Sequence, residues 1–80
     1  MESIQVELIS KDNFRIITSE GQYLQSNSRL IAFISNDGYK YIQRYYYALS
    51  NNTINALCKF FQVSKSELLD EYKNEIIKTI

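Results

Sequence analysis

A length of 80 residues predicts a single domain over positions 1–80, in which nine basic side chains balance nine acidic ones. A hydrophobic fraction of 45% and a charged fraction of 22% exclude a disordered chain. The absence of histidine removes the commonest general base and metal ligand, and it excludes Ser-His and Cys-His nucleophile pairs.

The amino-terminal part of the sequence predicts β-strands. Residues 4–8 alternate apolar and polar side chains, which is typical of a half-buried strand and predicts one at about 3–9. Turn residues occupy 11–13, and the β-branched and aromatic run after them predicts a second strand at about 14–19. Gly21 predicts a second turn, after which residues 22–26 could extend briefly.

Asp37-Gly38 lies between two apolar, β-prone runs and predicts a hairpin with strands at about 29–35 and 39–47. A two-residue loop would pair Phe33 with Ile42, whereas a three-residue loop with a bulge at Gly38 shifts the register by one. In either register one face of the second strand carries a tyrosine-rich set, comprising Tyr39, Tyr41, Gln43, Tyr45 and Tyr47. The other face carries Lys40, Ile42, Arg44 and Tyr46.

The hydrophobic period becomes helical after the polar run at 50–53. An apolar stripe of Ile54, Leu57, Cys58 and Phe61 predicts a helix at about 52–62, with Ser50, Asn51 or Asn52 as its N-cap. Ser64 and Glu67 have the spacing of a capping box, and a second stripe of Leu68, Leu69, Tyr72 and Ile76 predicts a helix at about 65–79. The predicted fold is α+β: a four-stranded antiparallel meander followed by two helices packed on one face.

The orientation of the tyrosine-rich strand determines where a partner could bind. Burying an unpaired charge costs roughly several kcal/mol, so we expect the face with Lys40 and Arg44 in solvent and the tyrosine face against the helices. This orientation predicts an exposed apolar patch rimmed by cations, with the candidate partner-binding residues Arg29, Ile31, Phe33, Lys40, Ile42, Arg44 and Tyr46. The alternatives are that the amino-terminal strands, or a second copy of the chain in a homodimer, cover this patch.

No residue set in the sequence indicates catalysis. Gly21 and Gly38 are isolated, so there is no phosphate-binding loop, and Asp70 and Glu71 diverge on a helix. Cys58 lies on the apolar stripe as a small hydrophobe. We therefore expect no enzyme, no catalytic residue, no metal and no cofactor. The lone cysteine, the lack of a secretory signal and the short apolar runs predict a cytoplasmic protein with no membrane partner.

Residues 26–61 resemble a group of small phage and mobile-element proteins of unknown function. Their shared pattern runs S-Y-x-T-x-I-A, then a hairpin, then Y-S-x-T-T-x-x-H-x-x-x-F, and the matching residues here are Ser26, Ile31, Ala32, Ser50, Thr53 and Phe60. The sequence departs from the pattern at Asn27 (Tyr in the family), at Arg29 and Asn52 (Thr) and at Ala56 (His), so any role of that histidine is absent. The resemblance implies a phage or prophage accessory gene.

Residues 53–72 are similar to the last helices of phage-repressor-like helix-turn-helix domains, although the hairpin is predicted where that family carries its DNA-reading helix. We expect a small, non-catalytic accessory protein that binds a host protein or protein–nucleic acid complex, and inhibitors of host defence nucleases such as anti-CRISPR proteins are one candidate class. The alternative is a DNA-binding transcriptional regulator using the C-terminal helices. The mildly basic middle of the chain falls short of the clustered cations typical of duplex binding.

Overall fold

Six strands and two helices make up the part of the chain that the computed structural model describes, residues 4–43 and 50–79. The elements are β1 (Gln5–Ser10), β2 (Asn13–Thr18), β3 (Gly21–Ser26), β4 (Arg29–Ser35), β5 (Lys40–Ile42), α1 (Asn51–Phe61), α2 (Lys65–Lys73) and β6 (Ile77–Thr79). The predicted α+β class is confirmed, but the sheet has six strands where four were predicted. Neither helix is long and apolar enough to cross a bilayer, as far as residues 4–43 and 50–79 show.

The sheet order follows the chain order, from β1 to β6. Strands β1 to β5 form an antiparallel meander, and β6 returns after the helices to pair parallel with β5. The meander was predicted, apart from β3. This strand mixes polar and apolar residues, so its own sequence carries a weak strand pattern. Pairing with β2 on one side and β4 on the other holds it in the sheet.

The hairpin between β4 and β5 has the three-residue register. The Ser35 amide donates to the Tyr39 carbonyl at 2.9 Å, Gly38 has a φ of +89°, and Phe33 pairs with Tyr41 rather than with Ile42. The two-residue register is therefore wrong and its alternative is confirmed. The predicted strand at 39–47 is described only to Gln43, and residues 44–49 lie outside the described residues.

The second helix ends earlier than predicted, at Lys73. Glu75 adopts a left-handed φ of 59°, and the amides of Glu75 and Ile76 donate to the carbonyls of Tyr72 and Glu71. This pairing is the Schellman arrangement, which satisfies the last carbonyls and turns the chain away from the helix. Ile77 then enters the core as part of β6, while Ile76, expected on the apolar stripe, is 58% exposed.

Buried apolar residues from the sheet and both helices form one core: Leu24, Ile31, Ala32, Ile42, Ile54, Ala56, Leu57, Phe60, Phe61, Leu68 and Ile77. The N-terminal caps of both helices agree with the prediction from the sequence. Ser50 caps α1 by accepting from the Thr53 amide, and Ser64 and Glu67 form the predicted capping box on α2. Cys58 packs against the core without being fully buried, close to its predicted role as a small hydrophobe.

Candidate interaction surface

The strand register divides the sheet into two faces, because cross-strand partners lie on the same side. One row, here named the Leu24 face, runs through Glu7, Arg15, Leu24, Ala32 and Ile42. The neighbouring row, here named the Phe33 face, runs through Val6, Ile16, Tyr23, Phe33 and Tyr41 on the opposite side. The Phe33 row is apolar across five strands.

The Leu24 face contacts the helices through charged as well as apolar side chains. Arg15 donates to the carbonyls of Lys59 and Phe60 at 3.2 and 3.0 Å, and its guanidinium lies 4.9 Å from the centre of the Phe60 ring. These carbonyls lie at the end of α1, where the helix has no further amides to bind them. Arg15 therefore fixes the C-terminus of α1 to β2.

Lys40 occupies the same face two residues before Ile42. Its ammonium lies 2.7 Å from the Glu71 carboxylate on α2 and 5.7 Å from the centre of the Phe61 ring on α1. Both partners of the ion pair are largely buried, with 24% and 18% of their side chains exposed. The charge of Lys40 is thus buried with a partner, and Ile42 beside it is 2% exposed.

The predicted orientation of the tyrosine-rich strand is wrong for the residues the structure describes. Tyr39 is 60% exposed, Tyr41 is half-buried on the Phe33 face, and Gln43 is exposed. The prediction assumed that Lys40 would be buried without a partner, but Glu71 supplies one. Because Glu71 pairs with the Lys40 ammonium, the cost of burying that charge is reduced, and the free energy gained by burying Ile42 determines which face of β5 turns to the core.

The predicted partner-binding residues do not form one surface. Phe33 lies on the Phe33 face, whereas Lys40 and Ile42 belong to the Leu24 face. Ile31 is unpaired at the irregularity between β3 and β4 and belongs to the buried core, and it also lines a hollow beside Phe33. Arg29 is exposed at the start of β4 and pairs with Ser26, which shares the Leu24 side. Arg44 and Tyr46 lie outside the described residues.

The Phe33 face carries a run of aromatic rings across three strands. The ring centres of Tyr23 and Phe33 are 4.7 Å apart, and those of Phe33 and Tyr41 are 6.0 Å apart in a stacked arrangement. A hollow of about 170 Å³ opens beside them, lined by Tyr23, Leu30, Ile31, Ala32, Phe33 and Gln43. Aromatic pairs at these ring-centre distances attract one another, so the three rings present a contiguous apolar area on this face.

At the β1 end of the same face the aliphatic side chains are largely in solvent. Val6 is 61% exposed and Leu8 68%, and Ile4, just before the strand, is 63% exposed. The alternation of these three residues was visible in the sequence and predicted half-burial. Period-two alternation marks a face, but it does not tell whether anything covers that face.

The described residues offer little reactive chemistry. Between 4–43 and 50–79 no three His, Cys, Asp or Glu side chains come together to hold a metal ion. Burial raises the pKa of the Cys58 thiol, and the nearby Lys65 charge offsets this only in part. The thiol is therefore protonated near neutral pH and is a poor nucleophile.

Comparison with protein-family models, with curated proteins and with solved structures finds no match to this chain. The function is accordingly inferred from the two faces of the sheet and their chemistry.

Proposed function

We propose that this protein is a non-catalytic binding protein that uses the Phe33 face of its sheet to bind another protein. The observation that carries the proposal is the apolar row from Val6 to Tyr41, which crosses five strands on the side opposite Leu24. Arg15 contacts α1 and Lys40 contacts both helices from the Leu24 face. These contacts support an arrangement in which both helices cover that face and leave the Phe33 face to a partner.

The charge of the Phe33 face favours a protein partner over a nucleic acid. The Val6 to Tyr41 row continues into β6 at Lys78, which pairs with Tyr41. Lys78 is the one charged side chain among the described residues of this extended row. The adjoining pairs Leu8–Phe14, Phe14–Gln25 and Gln25–Leu30 carry no charge. Binding of a phosphate backbone, duplex or single-stranded, relies on several cations, whereas protein interfaces rely on buried aromatic and aliphatic anchors.

The resemblance of residues 26–61 to phage and mobile-element proteins supports a host protein, alone or in a complex with nucleic acid, as the target. A small protein without reactive groups can inhibit its target by occupying a surface in a stoichiometric complex. Inhibition of a host defence nuclease, as by anti-CRISPR proteins, is one candidate class, which rests on analogy.

The test is capture of a partner from a lysate of the organism that carries the gene, followed by titration of the purified partner. We expect Phe33→Ser combined with Tyr41→Ser to weaken binding about tenfold or more, because interface aromatic residues often contribute more than about 1 kcal/mol each. Asn55→Ser, on an exposed position of α1, is the matched control and should bind like the parent chain.

Thermal unfolding of each variant separates loss of the surface from loss of the fold. A folded double variant that binds the purified partner as tightly as the parent chain would rule out the Phe33 face. Salt-dependent binding of duplex DNA by both variants alike would favour the transcriptional regulator instead.

A further inference from the structure

Strand β1 stands at one edge of the sheet, and none of its residues is fully buried. Its first four residues, Gln5 to Leu8, are exposed on both faces of the sheet. The strand order gives β1 a neighbour on one side only, so half of its backbone amides and carbonyls point away from β2. Gln5 to Leu8 are thus open along the edge and over both faces, whereas Ile9 packs against the core. Such a segment has the geometry to accept another strand.

The β1 edge lacks the features that usually prevent strand addition. Its six residues include no proline or lysine, and Glu7 is the only charge among them, although a register irregularity between Leu8 and Ser10 limits the regular part of the edge. The opposite edge is less suited to pairing, because β6 has three residues and includes Lys78. Of the two edges that the described residues form, β1 offers the longer template.

We propose that an extended segment of the protein partner adds to the sheet beside β1 as a seventh strand. Its alternate apolar side chains would pack over Val6 and Leu8, continuing the Phe33 face, and a cationic side chain on the other side would lie beside Glu7. This inference rests on the proposed function and specifies how the partner engages that surface.

The cation follows from the surroundings of Glu7. Its carboxylate lies 3.7 Å from Nε of Arg15, and 58% of the side chain is exposed. The Arg15 Nη atoms are directed elsewhere, to Gln22 and to the carbonyls of Lys59 and Phe60. Glu7 therefore keeps acceptor capacity at the open edge, where an added lysine or arginine would complement it.

A second copy of this chain fits the edge less well than a cationic segment does. Two-fold antiparallel pairing of β1 with itself about Glu7 would place two carboxylates side by side. Pairing about Val6 would place Glu7 opposite Gln5, and pairing about Leu8 would place it opposite Ile9. None of these registers places a cation opposite Glu7. Pairing about Ile9 would place Lys11 there, but Lys11 and Asp12 form the turn after β1, so that register would leave Gln5 and Val6 without strand partners. The geometry therefore favours a different protein.

The probe is a fluorescent, capped peptide of sequence Thr-Val-Lys-Val-Lys-Val-Thr, titrated with the full chain by fluorescence anisotropy. Its matched control replaces both lysines with glutamates. We expect the lysine peptide to bind about tenfold or more tightly than the glutamate peptide, a difference of ~1.4 kcal/mol. Glu7→Gln should reduce that preference severalfold, and Val6→Lys should abolish binding, whereas Asn55→Lys on α1 should leave it unchanged.

Hydrogen exchange identifies the edge that is used. Added protection in Gln5 to Leu8 is expected, without added protection in Ile77 to Thr79. Failure of the lysine peptide to bind, equal binding of the two peptides, or protection confined to β6 or the helices overturns the proposal. So does a dimer in sedimentation that Val6→Lys dissociates, since a second copy would then occupy β1.

The outcomes also separate this inference from the proposed function. A purified partner that depends on Phe33 and Tyr41 but tolerates Val6→Lys and Glu7→Gln would keep the Phe33 face and overturn strand addition. Peptide binding that loses its lysine preference in Glu7→Gln, with a full-length partner indifferent to Phe33→Ser and Tyr41→Ser, would support strand addition and overturn the broader surface.

Discussion

Gly21, at the start of β3, shows how closely the strands of this sheet approach at a single residue. Its φ of +146° lies where side chains are rarely found. A β-carbon built at Gly21 would lie 2.3 Å from the Ile34 carbonyl oxygen and 2.9 Å from the nearest atom of the Phe33 ring. The absence of a side chain here lets β3 and β4 pair and lets Phe33 take its place on the Phe33 face.

Replacing Gly21 should therefore destabilise the fold more than replacing the other glycine. We expect Gly21→Ala to lower the free energy of unfolding by about 1–3 kcal/mol, from backbone strain together with displacement of Phe33. Gly38→Ala is the control for strain alone, because nothing lies within 4 Å of an added carbon at that position. Urea unfolding followed by circular dichroism measures both, and an equal loss in the two variants would contradict the close approach at Gly21.

At the scale of elements, features set by neighbouring residues could be predicted and features set by distant pairing could not. The Asp37-Gly38 turn, the Ser50 cap and the Ser64–Glu67 box depend on residues a few positions apart. Strand β6 depends on pairing with β5, far earlier in the chain. The apolar spacing in the last residues fits a helix as well as it fits a strand, so the prediction from periodicity placed the end of α2 too late in the chain.

The capping box of α2 makes one contribution to stability depend on pH. The Glu67 carboxylate accepts a hydrogen bond from the Ser64 amide at 3.1 Å, and the Glu67 amide donates to the Ser64 hydroxyl at 3.2 Å. The hydrogen bond from the Ser64 backbone, with one from its side chain, lowers the pKa of Glu67 below its ordinary value. The folded state thus favours the ionised carboxylate.

Because the pKa falls on folding, this contribution is fully present above the ordinary pKa of glutamate and is lost as the pH falls through the lower folded pKa. We expect Glu67→Gln to be less stable than the parent chain at pH 7, with the difference disappearing in acid. The urea midpoints of Glu67→Gln and of the parent chain, compared from pH 7 down to pH 2, measure this difference in stability. A Ser64→Ala background keeps the amide of residue 64 and removes only the hydroxyl, so the pH dependence of the difference should shrink in part. An undiminished dependence would assign the effect to the backbone hydrogen bond without the hydroxyl.

At the scale of the whole molecule, the candidate site was the part least accessible to prediction. The hairpin could be placed from its own residues, but the side of β5 that enters the core depends on Glu71, which lies in a different element. Seen in the sequence alone, Lys40 was an unpaired charge and Glu71 a solvent-exposed acid. Their pairing reverses the face of β5 that is available to a partner, and the three-residue register of the hairpin separates Phe33 from Ile42.

This orientation of β5 can be tested by the stability of two variants three positions apart. Ile42 is 2% exposed within the core, so Ile42→Ala should lower the free energy of unfolding by about 2–5 kcal/mol through lost burial and a cavity. Tyr39 is 60% exposed, and Tyr39→Ala should change the free energy of unfolding by no more than about 0.5 kcal/mol. Equilibrium denaturation of both, with unchanged m-values, provides the comparison. A large loss at Tyr39 beside a small one at Ile42 would mean that the tyrosine face lies against the core, and the Phe33 face would then no longer be free to bind a partner.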